Sequence, residues 1–257
     1  MGEFRELFKY RDLLMLMIDN SIKTRYKRSV LGVMWTLLNP LLNTIVLTIA
    51  FSSLFRFDIP NYPVYLLIGL LIWNFFAQTT TISIHTLVWG SNLLRRIYVP
   101  RTVFTVSVVG NGLVNLFLGL IPLFIIMAFM RHPVDRSILF LPIAIFINTV
   151  FTLGVSLIIS LAAIFYADVV DIYNVMVNAL FYLTPIIYPI EIFPENLTWV
   201  LRINPLYYMV ELFRRPLFEN LLPTGETTLI ASLWAVGTLL FGWWLFTKKS
   251  DDFAYQV

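Results

Sequence analysis

Long apolar runs separated by short polar stretches dominate the pattern of this chain. A helix needs about 20 residues to cross a hydrocarbon core about 30 Å thick, and each of six runs has that length. The fifth run is the weakest, since it contains Asp171 and is broken near its end by Pro185 and Pro189. The pattern predicts an all-α integral membrane protein with six transmembrane helices. The six runs lie at about residues 30–55, 62–84, 102–130, 137–165, 169–190 and 227–247.

Two further segments have helical patterns but are not expected to cross. Residues 1–29 place apolar side chains on one face and basic ones opposite, which predicts a cytoplasmic amphipathic interface helix. This helix would either only anchor the chain in its orientation at the membrane surface, or in addition contact a partner protein. Residues 191–222 are interrupted by prolines and predict two short helices in a re-entrant segment. The apolar positions of the first segment are Phe4, Leu7, Phe8, Leu14, Met15, Ile18, Ile22 and Tyr26.

Composition agrees with a membrane protein. Hydrophobic residues make up 59% of the 257 residues and charged residues 13%, with a mean hydropathy of +0.81. Soluble domains carry about 25% charged residues, so the surplus apolar surface must face lipid. The spans, taken as one domain over residues 30–257, leave no room for a separate soluble domain. The absence of cysteine excludes disulfides, thiolate metal sites and a cysteine nucleophile.

The basic residues predict the orientation. Most of the 18 lysines and arginines lie in residues 1–29, between the second and third runs, or after the sixth run. The positive-inside rule then places both termini in the cytoplasm. We therefore interpret the net charge of +3 as the result of basic cytoplasmic loops and not as an indication of nucleic-acid binding. The polar N-terminal segment predicts no cleavable signal peptide.

The chain lacks the motifs of the common membrane-associated enzymes. No P-loop lysine motif, H-E-x-x-H or G-x-S-x-G occurs, and His85 and His132 are expected at opposite ends of helices. We therefore predict no catalytic site, no metal site and no cofactor bound by this chain. Apart from Asp171, beside Asp168, the runs carry almost no charge, which argues against an ion-coupled carrier. Another chain should then supply the energy.

Neutral polar residues form stripes on two of the runs. Trp35 and Thr36 lie beside Asn39 and Asn43 on the first. On the fifth, a stripe at spacings of three and four begins at Asp171, and the ring of Phe181 is a further candidate to stack on a sugar. Such amides either bond neighbouring helices or line a passage, and amides, hydroxyls and aromatic rings suit a sugar. The fifth-run stripe continues through Asn174, Asn178 and Tyr182.

Five pieces of the chain carry a family resemblance. In order, they resemble the polysaccharide-exporting ABC transporter permeases, with the closest likeness to the O-antigen exporters and relatives among teichoic acid and capsule exporters. The resemblance covers nearly the whole chain. The pieces are RYKRSVLGVMW at 25–35, NPL at 39–41, RIYVPR at 96–101, TPIIYP at 184–189 and NPL at 204–206, with Arg214 downstream.

The resemblance implies a homodimer in the bacterial inner membrane, paired with two copies of a nucleotide-binding ATPase subunit that holds ATP and Mg. It also implies a channel lined by the first and fifth helices of both protomers. Segment 191–222 would form periplasmic gate helices. The implied substrate is a glycan on an undecaprenyl-type diphosphate lipid.

Two basic segments acquire candidate roles from this resemblance. The basic residues within 25–28 could hold the lipid diphosphate at the cytoplasmic mouth of the channel, or they could only determine the orientation of the chain in the membrane. The connection after Trp89 could fit an ATPase groove or be a simple connector. Two alternatives remain: an ABC permease for a small hydrophobic compound, and a membrane transferase acting on lipid-linked sugars. The diphosphate candidates are Arg25, Lys27 and Arg28, and the coupling candidates are Asn92, Leu93, Arg95 and Arg96.

Overall fold

The computed structural model describes residues 9–26, 31–32, 34–54, 59–89, 100–194, 196 and 198–249. All regular elements of these residues are helical. A 3-10 turn, Arg136–Phe140, leads into α5, and a π turn, Arg215–Glu219, follows α8. The helices are α1 (Arg11–Tyr26), α2 (Met34–Leu54), α3 (Tyr62–Trp89), α4 (Arg101–Phe129), α5 (Leu141–Phe165), α6 (Asp168–Leu183), α7 (Thr198–Ile203), α8 (Pro205–Arg214) and α9 (Gly225–Lys249).

Five of these helices are long and apolar enough to cross a membrane: α2, α3, α4, α5 and α9. The chain is therefore a multi-pass membrane protein. Helix α6 has 16 residues, about 24 Å at 1.5 Å per residue, which is less than the hydrocarbon thickness. The fifth predicted span, about 169–190, is thus helical only to Leu183, and the chain beyond Thr184 is irregular.

Helix α3 lies at the centre of the bundle. Its residues from Val64 to Trp73 are all buried, and it packs against α2, α4, α5, α6 and α8. A helix that is apolar on all sides is stable when neighbours surround it, and this one is surrounded. Phe76 stacks on Phe151 of α5 with ring centroids 5.5 Å apart. These five helices are therefore placed by their contact with α3.

Helices α5 and α9 approach each other backbone to backbone. A Cβ added at Gly154 would lie 2.5 Å from the backbone nitrogen of Leu239. One added at Gly242 would lie 2.7 Å from the carbonyl oxygen of Gly154. Small residues permit this spacing, which is how helices pack where lipid removes the usual hydrophobic driving force.

The irregular segment after α6 is held by a buried arginine. Arg214, at the end of α8, is 4% exposed and donates to the carbonyls of Pro185 (2.8 Å) and Ile186 (3.4 Å). Its guanidinium also lies 3.9 Å from the ring centroid of Tyr65. Because this stretch is not helical, its carbonyls need donors from elsewhere, and Arg214 provides two.

Two tyrosines of α3 complete this arrangement. The hydroxyl of Tyr62 donates to the carbonyl of Ile187 at 2.7 Å, and that of Tyr65 donates to Tyr188 at 2.9 Å. Asn204 caps α8 by accepting from the Leu206 N–H at 3.0 Å. The four consecutive carbonyls from Pro185 to Tyr188 therefore all have side-chain donors.

Helix α1 differs in one respect from the predicted amphipathic face. Leu14 and Ile18 are half-buried, and Ile18 fits against Gly110 of α4. Met15, predicted on the same face, is instead 72% exposed, next to the exposed Leu16. The helix docks on α4 along the side that carries Leu14, Met17 and Ile18, which leaves Met15 on the exposed side. The amphipathic interface helix stays a prediction.

Candidate functional site

A cavity of about 510 Å³ lies between α1, α2, α3 and α4. This volume falls in the range of small-molecule sites, about 300–1,000 Å³. The α2 residues that the sequence singled out all line it: Trp35, Thr36, Asn39 and Asn43. Trp35 is 46% exposed. The first-run stripe therefore borders a cavity within one chain.

Helices α3 and α4 contribute amides that the sequence analysis missed. Asn74 and Gln78 lie one turn apart on α3, and Asn111 and Asn115 lie one turn apart on α4. With Asn39 and Asn43 on α2, they form three pairs, each at a spacing of four. That repeated spacing is the signal that could have identified them, since residues four apart share a helix face. We call this space the amide cavity.

Close helix packing gives the amide cavity its walls. At Gly112, a Cβ would collide with Thr79 and Phe75 of α3, so the glycine lets α4 and α3 meet beside the cavity. On α2, the Asn43 side chain donates to the Asn39 oxygen at 3.4 Å. Met17 and Ser21 of α1 also line the space.

The lining of the amide cavity is uncharged. Among the described residues that border it there is no Asp, Glu, Lys, Arg or His. Its polar groups are amides and hydroxyls, and its apolar groups include the rings of Trp35 and Phe75. Such a surface can hydrogen-bond a neutral ligand but offers no cation to a phosphate.

The second predicted stripe lies on α6, away from the amide cavity. Asn174 and Asn178 are exposed, and Tyr182 is 71% exposed. The opposite side of α6 is buried, where the Tyr173 hydroxyl donates to Thr80 of α3 at 2.6 Å. We call Asp171, Asn174, Asn178 and Tyr182 the α6 stripe.

Phe181 belongs to a different surface from its predicted partners. It is half-buried, with its ring centroid 5.2 Å from that of Trp73 on α3 and 5.3 Å from that of Tyr182. It therefore packs the α6–α3 contact beside the exposed stripe.

The two predicted stripes do not meet within one chain. No residue of α6 lines the amide cavity. Helix α2 packs on α3 and α4, whereas α6 packs on α3 and α5. The amide cavity and the α6 stripe are therefore separate surfaces of the chain.

Comparison with known proteins decides the family. Residues 12–218 match the ABC-2 type transporter family. The chain belongs to this family. It is 33% identical over 248 residues to the O-antigen export system permease protein RfbA of Klebsiella pneumoniae, covering 95% of this chain and 94% of that protein.

Other relatives of this ABC-2 transporter subunit carry similar names. It is 29% identical to the O-antigen export system permease protein RfbA of Myxococcus xanthus, over 98% of both chains. It is 20% identical to the polysialic acid transport protein KpsM of Escherichia coli, over 90% of both chains. The likeness extends along nearly the full length of each protein.

The remaining predicted sites of the ABC-2 subunit lie outside the described residues. Arg25 is in α1, but its side chain is not described, and Lys27 and Arg28 follow the helix. The coupling candidates Asn92, Leu93, Arg95 and Arg96 fall between Trp89 and Pro100, also outside the described residues. Their roles stay predictions.

Proposed function

We propose that this chain is the transmembrane subunit of an ABC exporter that moves undecaprenyl-diphosphate-linked polysaccharide of the O-antigen type from cytoplasm to periplasm. The observation that carries the proposal is a pair of polar surfaces on helices of a membrane protein: the uncharged amide cavity and the amide-bearing α6 stripe. The export permeases among its relatives support the same substrate class.

A homodimer explains the exposure of the α6 stripe. Lipid offers no hydrogen bonds, so exposed amides at membrane depth belong against water, a ligand or another protein surface. Two copies that meet around a shared passage give the stripes of both protomers a polar environment. The passage would then combine Asn174 and Asn178 with Asn39 and Asn43 from both copies.

In this arrangement α6 provides the sixth crossing. The helix spans about 24 Å by its rise, and the segment 184–189, held by Arg214, extends it toward the outer surface. Both termini lie in the cytoplasm, and the short helices α7 and α8 lie at the periplasmic end of the inner membrane. There they act as gate helices.

The energy comes from a separate ATPase subunit, present in two copies and holding ATP and Mg. In this scheme, Asn92, Leu93, Arg95 and Arg96 contact the ATPase together with α1. Arg25, Lys27 and Arg28 hold the lipid diphosphate at the cytoplasmic mouth, where cations attract phosphate.

Co-purification tests the proposal. The tagged chain is expressed with the ATPase encoded beside it, and ATP hydrolysis is measured with and without lipid-linked glycan. We expect a stable complex whose hydrolysis rises with the glycan, and no rise when the ATPase lacks its P-loop lysine. A folded permease that binds no ATPase, or a complex stimulated by small hydrophobic compounds and not by glycan, would contradict it.

A further inference from the structure

The amide cavity has polar groups that the protein itself leaves unsatisfied. Across the described residues, the side chains of Asn74, Gln78 and Asn111 have no hydrogen-bonding partner, although all three border the cavity. Amides at membrane depth need partners, because lipid provides none. The cavity must therefore contain water or a ligand rich in hydrogen-bonding groups.

The uncharged lining restricts which ligand fits. A phosphate or a zwitterionic lipid headgroup carries full charges, and burial without a compensating charge is costly. A sugar carries hydroxyls that both donate and accept, which matches amides that do the same. Its C–H faces also suit the rings of Trp35 and Phe75, which line the same space.

The size of the cavity sets the length of the ligand. About 510 Å³ is enough for a small saccharide and too little for a long chain. We propose that each protomer holds one or two neutral sugar units in the amide cavity, through Asn74, Gln78, Asn111 and Asn115 together with the α2 pair. This site shares the α2 pair with the proposed passage and is separate from the α6 stripe.

The inference rests on the proposed function only for the source of the sugar, which we take to be the exported glycan. The binding chemistry itself depends on the lining alone. Helix α1 contributes Met17 and Ser21 to the wall, so the cavity is complete only with α1 docked on α4. A glycan bound there would therefore contact the interface helix directly.

Photocrosslinking tests the site. The full chain, with its ATPase where that complex forms, is placed in phosphatidylcholine nanodiscs free of sugar detergents. The probes are a diazirine-bearing dodecyl maltoside and, as the charged control, a diazirine-bearing dodecylphosphocholine. We expect the maltoside probe to label peptides from 71–86 and 107–116 saturably, in competition with unlabelled maltoside, and the phosphocholine probe not to do so.

Variants separate the cavity from general lipid contact. Asn74→Leu with Asn111→Leu should weaken maltoside labelling at least about ten-fold, because two hydrogen-bonding amides are lost. Gln78→Met, which conserves volume, should weaken it less. Thr149→Val, on α5 and outside the cavity, should leave it unchanged. Each variant is compared at equal elution volume on gel filtration, so that misfolded protein is excluded.

Three results would overturn the inference: unsaturable labelling, equal labelling of these peptides by both probes, or wild-type labelling of Asn74→Leu/Asn111→Leu. These are distinguishable from a failure of the proposed function. If the chain binds no ATPase but is still labelled saturably, the proposed transport function is contradicted and the sugar site is supported. A glycan-stimulated complex without such labelling loses only the sugar site.

Discussion

Arg214 is a buried cation whose partners are mainly neutral. Besides the carbonyls of Pro185 and Ile186 and the ring of Tyr65, it has Glu211 at 3.6 Å. Burial raises the pKa of the Glu211 carboxyl above its usual range, although nearby Arg214 lowers it. The buried guanidinium of Arg214 is therefore stabilised mainly by the two carbonyls and the ring, since a planar guanidinium can donate to several acceptors at once.

Replacing Arg214 tests this interpretation. Arg214→Met should destabilise the folded protein by roughly 3–5 kcal/mol, the range seen when one partner of a buried charged network is removed. Arg214→Lys should recover only part of the loss, since an ammonium cannot reproduce the planar fork. The midpoint of thermal unfolding, followed by fluorescence-detected gel filtration, gives the comparison.

Arg202→Met is the matched control, because Arg202 is exposed on α7. It should unfold at nearly the wild-type temperature. Equal midpoints for Arg214→Met and Arg202→Met would show that Arg214 does not hold the 184–189 segment.

Asn204 combines two interactions in one side chain. Its oxygen caps α8, and its nitrogen donates to the Thr184 hydroxyl at 2.9 Å. Asn204→Ala should cost about 1–2 kcal/mol through the lost cap, with a further loss from the buried hydroxyl. Asn204→Ser keeps a capping oxygen, so its midpoint of thermal unfolding should lie between those of the wild type and Asn204→Ala. A serine variant no better than alanine would argue that the cap contributes little.

At the level of helices, the apolar runs predicted five of the spans well, because length and hydropathy determine them directly. The fifth run was different. Apolar residues continue to Ile190, but Pro185 ends the helical hydrogen bonding, so the helix stops at Leu183. Hydropathy cannot detect this, since the carbonyls beyond α6 are satisfied by Arg214, Tyr62 and Tyr65, which are remote in sequence.

The α5–α9 contact gives a direct test of helix packing. Gly154→Ala should destabilise the bundle by about 1–3 kcal/mol, because the new methyl meets backbone that cannot move aside. Gly237→Ala, on α9, meets nothing within 4 Å and should be neutral or stabilising by up to about 1 kcal/mol. Thermal unfolding measures both. If the two variants behave alike, the close contact is not a constraint.

At the scale of the whole molecule, the sequence predicted which faces are polar but not which faces meet. Periodicity assigns Asn39 and Asn43 to one face and Asn174 and Asn178 to another, without stating their neighbours. The amide pairs of α3 and α4 were not predicted, because two amides within a long apolar run do not indicate which neighbouring helix they face. Their spacing of four was present in the sequence, but only the packing shows that three such faces converge.

The absence of cysteine allows a clean test of pairing between copies. Asn178→Cys places a single thiol on the α6 stripe. We expect a short bis-maleimide to join two chains through it, and a membrane-impermeant maleimide to react with it, because the stripe faces a shared aqueous passage. Leu233→Cys, which is 63% exposed on α9 in the wild type, is the control and should do neither. Equal crosslinking at both positions would contradict a dimer formed around α6.

Loss of the α6 amides should stop transport without preventing assembly. We expect Asn174→Leu with Asn178→Leu to insert and to bind the ATPase, while glycan export falls at least about ten-fold as polar contacts along the passage disappear. Export is read from surface glycan by antibody. Normal export by this variant would remove α6 from the passage.

The backbone contact between α5 and α9 also has a mechanical consequence. Helices that touch at Gly154 and Gly242 cannot slide past each other without a steric collision, so α5 and α9 should move together as one rigid pair. Helix α2, by contrast, has few buried side chains, so fewer contacts oppose a change in its tilt. A displacement of α5 at one membrane surface should therefore move α9 with it at the other surface, whereas α2 can change its tilt more easily because fewer contacts hold it.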